Sequence, residues 1–335
     1  MTNAKSARPP MLVMGAGAWG TALALSLARA SQQVFLWGRD VASMAAMART
    51  RENSRYLPGI ALPASITPIS SLAALPCAVT TVLLATPLQA TRAVIALAIA
   101  RGLRQFVCTA KGIETESCLL VHEIVTSVLP DARAIGIISG PSFAREVAEG
   151  RPTALTVATG DLAFGQAMVA SLHTACLRPY LTDDMVGVAV GGAVKNVLAI
   201  AAGIADGLEL GANSRAALIT RGLAEMARFG AALGGRTDTF MGLSGLGDLV
   251  LTCTDDQSRN RRFGLALGRG MTPADAERTT GLVEGRLTAA AVSARARHCA
   301  VDMPICMQVA RTLRGDCTPA EAVHSLMTRE LPLGV

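Results

Sequence analysis

Six short apolar runs, separated by longer Ala-rich stretches of helical period, constrain the first half of this chain more than any other feature. They are MLVM (11–14), VFLW (34–37), VTTVLLA (79–85), QFVCTA (105–110), AIGIIS (134–139) and TALTVA (153–158). Their hydrophobicity is continuous rather than alternating, as in strands covered on both faces. Strand, helix, strand repeated in this way predicts parallel pairing with helices on both sides of a sheet. Residues 1–182 therefore read as a doubly wound α/β domain. After Thr182-Asp183, which reads as a helix N-cap, the pattern changes. Segments 183–205, 214–233, 259–269, 284–299 and 303–314 read as helix, and no further strand run follows, so 183–335 is expected to be an all-α domain. The length of 335 residues agrees with two domains, since single cores stop growing at about 250–300.

Charge and composition exclude several classes. The net charge of +6, from 31 basic and 25 acidic residues, is a mild excess and not a nucleic-acid footprint. The stretch 185–205 is apolar enough to raise a membrane span, but Lys195 and Asn196 lie at its centre and Gly187, Gly191 and Gly192 interrupt it. A lysine at mid-bilayer is costly, so a buried helix of a soluble protein is expected, with no membrane span. The eight cysteines form no Cys-x-x-Cys pair, and the four histidines are scattered. No metal or redox site is readable, and the cysteines are expected to be reduced, mostly buried thiols of a cytoplasmic protein. Asp255 and Asp256 read as turn residues. Lys5 and Arg8 precede an apolar run without a small-residue cleavage pattern, which argues against a signal peptide.

Gly15, Gly17 and Gly20, in GAGAWG, follow directly on the first strand run and open a helical stretch. The first glycine permits a tight turn, the second lets the backbone approach a pyrophosphate, and the third packs the helix against the strand. In this context the motif predicts a Rossmann-type dinucleotide-binding domain. Arg39 stands 19 residues after Gly20, where an NAD-selective site carries an acid, with Asp40 one step beyond. A guanidinium there can hold a 2′-phosphate, which favours NADPH over NADH; the other reading has Asp40 grip the ribose. Of the 31 basic residues only Lys5, Lys111 and Lys195 are lysines, and the last two sit in glycine-rich segments.

Further motifs are more specific: TAKGIE (109–114), SGPSFAREV (139–147), GGAVKN (191–196), GLGDLVLTC (245–253) and QSRNRR (257–262). With GAGAWGTAL, their order and spacing resemble the bacterial NAD(P)-dependent glycerol-3-phosphate dehydrogenase family, over about residues 11–290. The resemblance implies reversible reduction of dihydroxyacetone phosphate to sn-glycerol 3-phosphate for glycerophospholipid synthesis, by a cytoplasmic homodimer. It implies Lys195 as catalytic acid/base, with Lys111, Gly140, Ser142, Lys195, Asp248, Ser258, Arg259 and Asn260 around the substrate. Gly15, Gly17 and Gly20 belong to the fingerprint, and the resemblance adds Ala18, Trp19, Arg39, Lys111, Ala144, Arg259, Leu282 and Glu284 as cofactor contacts. Ala18 stands where the family often has Ser, and Leu282 is anchored in register only by the Glu-Gly that follows.

The chemistry agrees. Hydride reduction of a ketone leaves an alkoxide that must gain a proton, and no histidine lies in a glycine-rich motif. Lys195, among small and aliphatic neighbours, is the natural donor, its pKa lowered by burial; Asp248 can orient it. The competing readings are a Lys195 that snorkels to solvent and a Ser142 that is an ordinary N-cap before Glu146. Arg259 suits a phosphate through its bidentate fork, whereas Arg261, Arg262, Arg286, Arg295 and Arg297 read as a solvated basic face. Two alternatives remain open at this level: a β-hydroxyacid or 6-phosphogluconate-type dehydrogenase, and a non-catalytic NADPH sensor.

Overall fold

Eight strands, two more than the apolar runs suggest, form one sheet in the computed structural model, which describes residues 8–329. Lys5 and the outermost ends of both expected domains lie outside the described residues. In chain order the elements are β1 (Met11–Met14), α1 (Ala18–Arg29), β2 (Val34–Trp37), α2 (Val41–Thr50), β3 (Ile66–Ile69), β4 (Thr81–Leu84) and α3 (Leu88–Ala100). Next come β5 (Gln105–Cys108), α4 (Val121–Val128), β6 (Ala134–Ser139), α5 (Ala144–Glu149), β7 (Thr153–Ala158), α6 (Leu162–Leu172) and β8 (Leu177–Thr182). The sheet order is β3-β2-β1-β4-β5-β6-β7-β8.

Both additional strands are edges, and both contain a proline: ITPI in β3 and LRPYLT in β8. An edge strand tolerates a residue that cannot donate to the ladder. With one side open to water neither reads as a continuous apolar run, which is why the sequence pattern passes over them. The expectation of parallel pairing throughout also needs correction, because β7 runs antiparallel to β6 while β8 is parallel to β7. Strands buried on both faces have the same apolar composition in either direction, so counting runs does not detect the reversal. The remaining pairs are parallel. Val13, Leu36, Leu83 and Val107 from four strands pack with Leu23 and Leu27 of α1 in one buried cluster. Burying such a side chain fully contributes roughly 1.5–3 kcal/mol.

The chain divides into two compact units: one takes residues up to 110 together with 121–185, the other 111–120 and everything from 186 onward. Within the first unit, β1 lies between β2 and β4, where the chain reverses its direction of travel across the sheet. Ligands of open α/β sheets bind outside the strand ends at such a switch point, and the glycine fingerprint stands at the end of β1.

The second unit comprises α7 (Met185–Gly207), α8 (Gly211–Ala232), α9 (Thr237–Phe240), a π turn at Leu243–Gly247 and α10 (Asp248–Thr254). It continues with α11 (Arg259–Gly268), α12 (Pro273–Thr280), α13 (Glu284–His298), α14 (Pro304–Arg314) and α15 (Pro319–Met327). Among the described residues its only β feature is an isolated bridge between Ile113 and Leu120. Helix α7 is long and apolar enough to cross a membrane, yet its apolar stretch is buried inside the protein. Gly191, Gly203 and Gly207 of this helix are met by neighbouring backbone. A Cβ on Gly203 would lie 2.0 Å from the Arg261 carbonyl oxygen, and one on Gly264 of α11 would lie 2.0 Å from the Ile200 carbonyl oxygen. Gly207 and Gly268 repeat the contact one turn on, so the two helices meet backbone to backbone. Gly191 seats on Ser244 in the same way.

Candidate active site

The site residues expected from the sequence fall into two groups, one in each unit. In the first, the fingerprint glycines are shaped as a phosphate cradle requires. Gly15 has φ +121°, and a Cβ on it would lie 2.5 Å from the Ala85 carbonyl oxygen after β4. A Cβ on Gly20 would meet the Gly15 carbonyl oxygen at 1.9 Å, so the third glycine lets α1 start against the strand end. Gly17 meets nothing within 4 Å, which leaves its backbone open to a ligand. Ala18 and Trp19 form the first turn of α1 and are half-buried. A residue outside the sequence expectations supports this turn. The buried Asn53 donates to the Ala16 carbonyl oxygen (3.1 Å) and to Thr21 Oγ1 (2.7 Å). No local motif marks it, since it lies 37 residues away from Ala16.

Arg39 is exposed just after β2. Asp40 caps α2, accepting the Ser43 N–H at 2.9 Å, and that hydrogen bond holds its carboxyl below the usual range. Gly140, Ser142 and Ala144 also belong to the first unit. The N-cap reading of Ser142 is overturned, because Phe143 is the N-cap of α5 and the Ser142 hydroxyl donates to the Gly140 carbonyl oxygen at 3.0 Å. Gly140, at φ +138°, pivots the chain away from β6 while standing close to Leu155.

The second group lies within the helical unit. Lys195 is buried at 6% exposure on α7, so it does not snorkel. Its ammonium is hydrogen-bonded to Asp248 Oδ1 and donates to Thr252 Oγ1 at 2.9 Å. The other carboxylate oxygen of Asp248 takes the Lys111 ammonium at 2.6 Å. One carboxylate, 1% exposed, thus stands between two cations. Asp248 opens α10 directly after the π turn, and Gly245 in that turn presses on the backbone of Phe240. Such π turns often occur at functional sites. Thr252 follows Asp248 by four residues, on the same helix face. Its proton goes to the Asp248 carbonyl oxygen (2.6 Å), so toward Lys195 it can only accept. Thr252 stood in the quoted GLGDLVLTC motif, and its four-residue spacing from Asp248 is the signal that would have found it.

The electrostatics follow from burial. Desolvation lowers the Lys195 pKa to about 8, against the pull of Asp248 and with the push of Lys111. Burial raises the Asp248 carboxyl, but the Lys111 and Lys195 charges and their hydrogen bonds outweigh it and hold the group below its ordinary value. Glu284, at the start of α13, is pushed up by burial despite the opposing charges of Arg259, Lys111 and Lys195.

Ser258 caps α11 by accepting the Arg261 N–H, Arg259 is exposed at the first position, and Asn260 is buried. Arg261 does not belong to a solvated face. It is buried, pairs with Asp206 at 2.6 Å, and also bonds Asp256. Its guanidinium ties the start of α11 to the end of α7. Arg286 pairs with Glu277, and half-buried Arg295 donates to the Cys118 carbonyl oxygen at 2.6 Å. Leu282 is exposed in the segment before α13. Of the eight cysteines, all free, only Cys108, Cys253 and Cys306 are buried.

Comparison with known proteins adds a family. The model described as NAD-dependent glycerol-3-phosphate dehydrogenase N-terminus matches residues 10–165, and the corresponding C-terminus model matches 184–324. The glycerol-3-phosphate dehydrogenase (NAD(P)+) of Thioalkalivibrio sulfidiphilus is 51% identical over 326 residues, covering 96% of this chain and 98% of that one. The protein of the same name from Variovorax paradoxus is 52% identical over 328 residues, covering 95% and 96%. The crystal structure of glycerol-3-phosphate dehydrogenase from Coxiella burnetii superposes with a TM-score of 0.91 at 44% identity, covering 96% of this chain and 99% of that one. The Plasmodium falciparum structure, at 19% identity and a TM-score of 0.85, shares the fold.

The lysine cluster makes a direct prediction for stability. Asp248→Ala leaves two ammonium groups facing each other without their shared partner, which is expected to lower the unfolding free energy by about 3–5 kcal/mol. Urea denaturation reads this, and a loss under about 1 kcal/mol would contradict the shared-carboxylate arrangement.

Proposed function

The chain belongs to the NAD-dependent glycerol-3-phosphate dehydrogenase family, and on that premise we propose that it interconverts dihydroxyacetone phosphate and sn-glycerol 3-phosphate, supplying glycerophospholipid synthesis. The observation that carries the reading is the buried Lys195 ammonium, paired with Asp248 beside Lys111. The comparisons lend no support to a β-hydroxyacid or 6-phosphogluconate-type dehydrogenase, nor to a non-catalytic sensor.

Lys195 acts as the acid and base. In reduction its ammonium gives a proton to the oxygen of the former carbonyl, and in oxidation the neutral amine accepts the hydroxyl proton. A pKa of about 8 leaves both forms accessible near neutral pH, as proton transfer in two directions requires. Asp248 holds Lys195 in place, and Thr252 fixes the direction of its N–H bonds. Two cations against one carboxylate leave a net positive site, suited to the developing alkoxide and to a phosphorylated substrate. Lys111, Gly140, Ser142, Asp248, Ser258, Arg259 and Asn260 complete the substrate site, the Ser258–Asn260 turn meeting the phosphate with the bidentate fork of Arg259.

The cradle of Gly15, Gly17 and Gly20, open above the second glycine, fits a dinucleotide pyrophosphate. When bound, NADPH or NADH supplies the hydride. Ala18, Trp19, Arg39, Lys111, Ala144, Arg259, Leu282 and Glu284 are the proposed contacts. NADPH is favoured because the Asp40 carboxylate is engaged in capping α2, while Arg39 is exposed. Residues 1–182 would serve the cofactor and 183–335 the substrate, with the 111–120 segment contributing Lys111 to the latter. A cytoplasmic homodimer is the setting the family implies.

Lys195→Ala is expected to lower kcat by about 10²–10⁴-fold while NADPH still binds, as fluorescence titration would show. Near-normal turnover removes Lys195 from the mechanism. With the wild type, kcat/KM for oxidation rises as pH passes through about 8 and that for reduction falls, because oxidation needs the neutral amine and reduction the ammonium. Arg39→Asp shifts the ratio of kcat/KM values from NADPH toward NADH, and an unchanged ratio excludes Arg39 from cofactor choice.

A further inference from the structure

Lys111 is held at both ends. Its ammonium lies on Asp248, and its backbone carbonyl oxygen accepts a hydrogen bond from Asn196 Nδ2 at 3.3 Å. The oxygen of the Asn196 amide accepts from Asn260 Nδ2 at 2.9 Å, and the oxygen of the Asn260 amide accepts from the Gly285 N–H at 2.9 Å. Asn196 and Asn260 are buried, at 3% and 9% exposure. The chain of amides therefore starts at a backbone donor in the first turn of α13, crosses α11 and α7, and ends at a backbone acceptor in the 111–120 segment. Its direction is forced. Gly285 N–H can only donate, so the Asn260 oxygen must face it. The Asn260 NH₂ then meets the Asn196 oxygen, which leaves the Asn196 NH₂ for the Lys111 carbonyl.

Two features of the backbone are built around this chain. Gly285 has no room for a side chain, since a Cβ there would lie 2.5 Å from the Asn196 carbonyl oxygen and 2.7 Å from Asn260 Oδ1. The glycine seam of α7 and α11 sets the register of the two amides. Asn196 meets Asn260 as Ile200 meets Gly264 and Ile204 meets Gly268, each step four residues on along both helices. The seam thus delivers one amide to the other at its end.

We propose that Asn196 is a positioning residue, the middle member of an amide relay that ties the placement of Lys111 to the first turn of α13. This rests on the reading above, in which Lys111 holds substrate and Glu284, the neighbour of Gly285, touches the cofactor. The relay makes the substrate lysine and the cofactor-contacting turn move as one body. Asn260 serves in it as well as facing the phosphate, and loss of either amide breaks the chain between the α13 turn and the Lys111 carbonyl.

A double-mutant cycle on the full-length enzyme tests this, with KM for dihydroxyacetone phosphate, kcat and thermal midpoint measured for each variant. Asn196→Ala and Asn260→Ala are each expected to raise KM about tenfold with kcat within about threefold, and the double variant to stay near the worse single one. A hundredfold rise in the double variant, the result for independent contacts, overturns the relay, as does an unchanged KM in Asn196→Ala. Gly285→Ala breaks the relay at its donor end, by crowding Asn260 Oδ1, and removes no polar side chain. It is expected to raise KM similarly and to add nothing to Asn196→Ala, so additivity there also overturns the proposal. Lys111→Met, run in parallel, separates the two levels. If it leaves KM unchanged, the assignment of Lys111 falls and the relay with it; if it raises KM while Asn196→Ala does not, only the relay falls.

Discussion

A lysine that is 6% exposed inside an apolar helix must be compensated, and much of the helical unit answers that requirement. Asp248 supplies the opposite charge, and it stands where it does because a π turn ends directly before it. Gly245 permits that turn to close on Phe240, and Gly191 lets α7 approach the Ser244 backbone. Thr252 satisfies a further donor of Lys195 from the next turn of α10. Without the glycines the backbones separate, and the ion pair loses its geometry before any side chain has changed.

The compensation is deliberately incomplete in charge. Asp248 is shared with Lys111, so two cations answer to one carboxylate, and Lys195 keeps a pKa of about 8 where a fully neutralised lysine would stay higher. Burial pushes the carboxyl of Glu284 up and outweighs the same cations, which pull it down. A lysine with a lowered pKa and an excess of positive charge therefore come from one arrangement.

In the nucleotide-binding unit the limiting constraint is steric. Gly15 and Gly20 are pressed against backbone at the end of β1, whereas Gly17 faces open space. The three glycines thus divide the work of making the turn, leaving backbone open and starting α1. Asn53 holds the turn from a segment remote in sequence. Beside exposed Arg39, the Asp40 carboxylate is engaged as the cap of α2.

Periodicity and glycine spacing are local properties, so the sequence alone determined the six central strands, the run of helices after residue 182 and the glycine fingerprint after β1. Proline and half-burial hid β3 and β8, because edge strands lack the continuous apolar signature. The antiparallel turn of β7 left no trace, since a strand covered on both faces has one composition in either direction. What only the tertiary structure decided are the pairings across long separations: Asp248 shared by lysines 84 residues apart in the chain, Arg261 buried on Asp206 rather than solvated, and Asn196 joined to Asn260 and the Lys111 carbonyl. Charge type can be read from a residue, but whether water or a partner meets that charge depends on which helices pack against it.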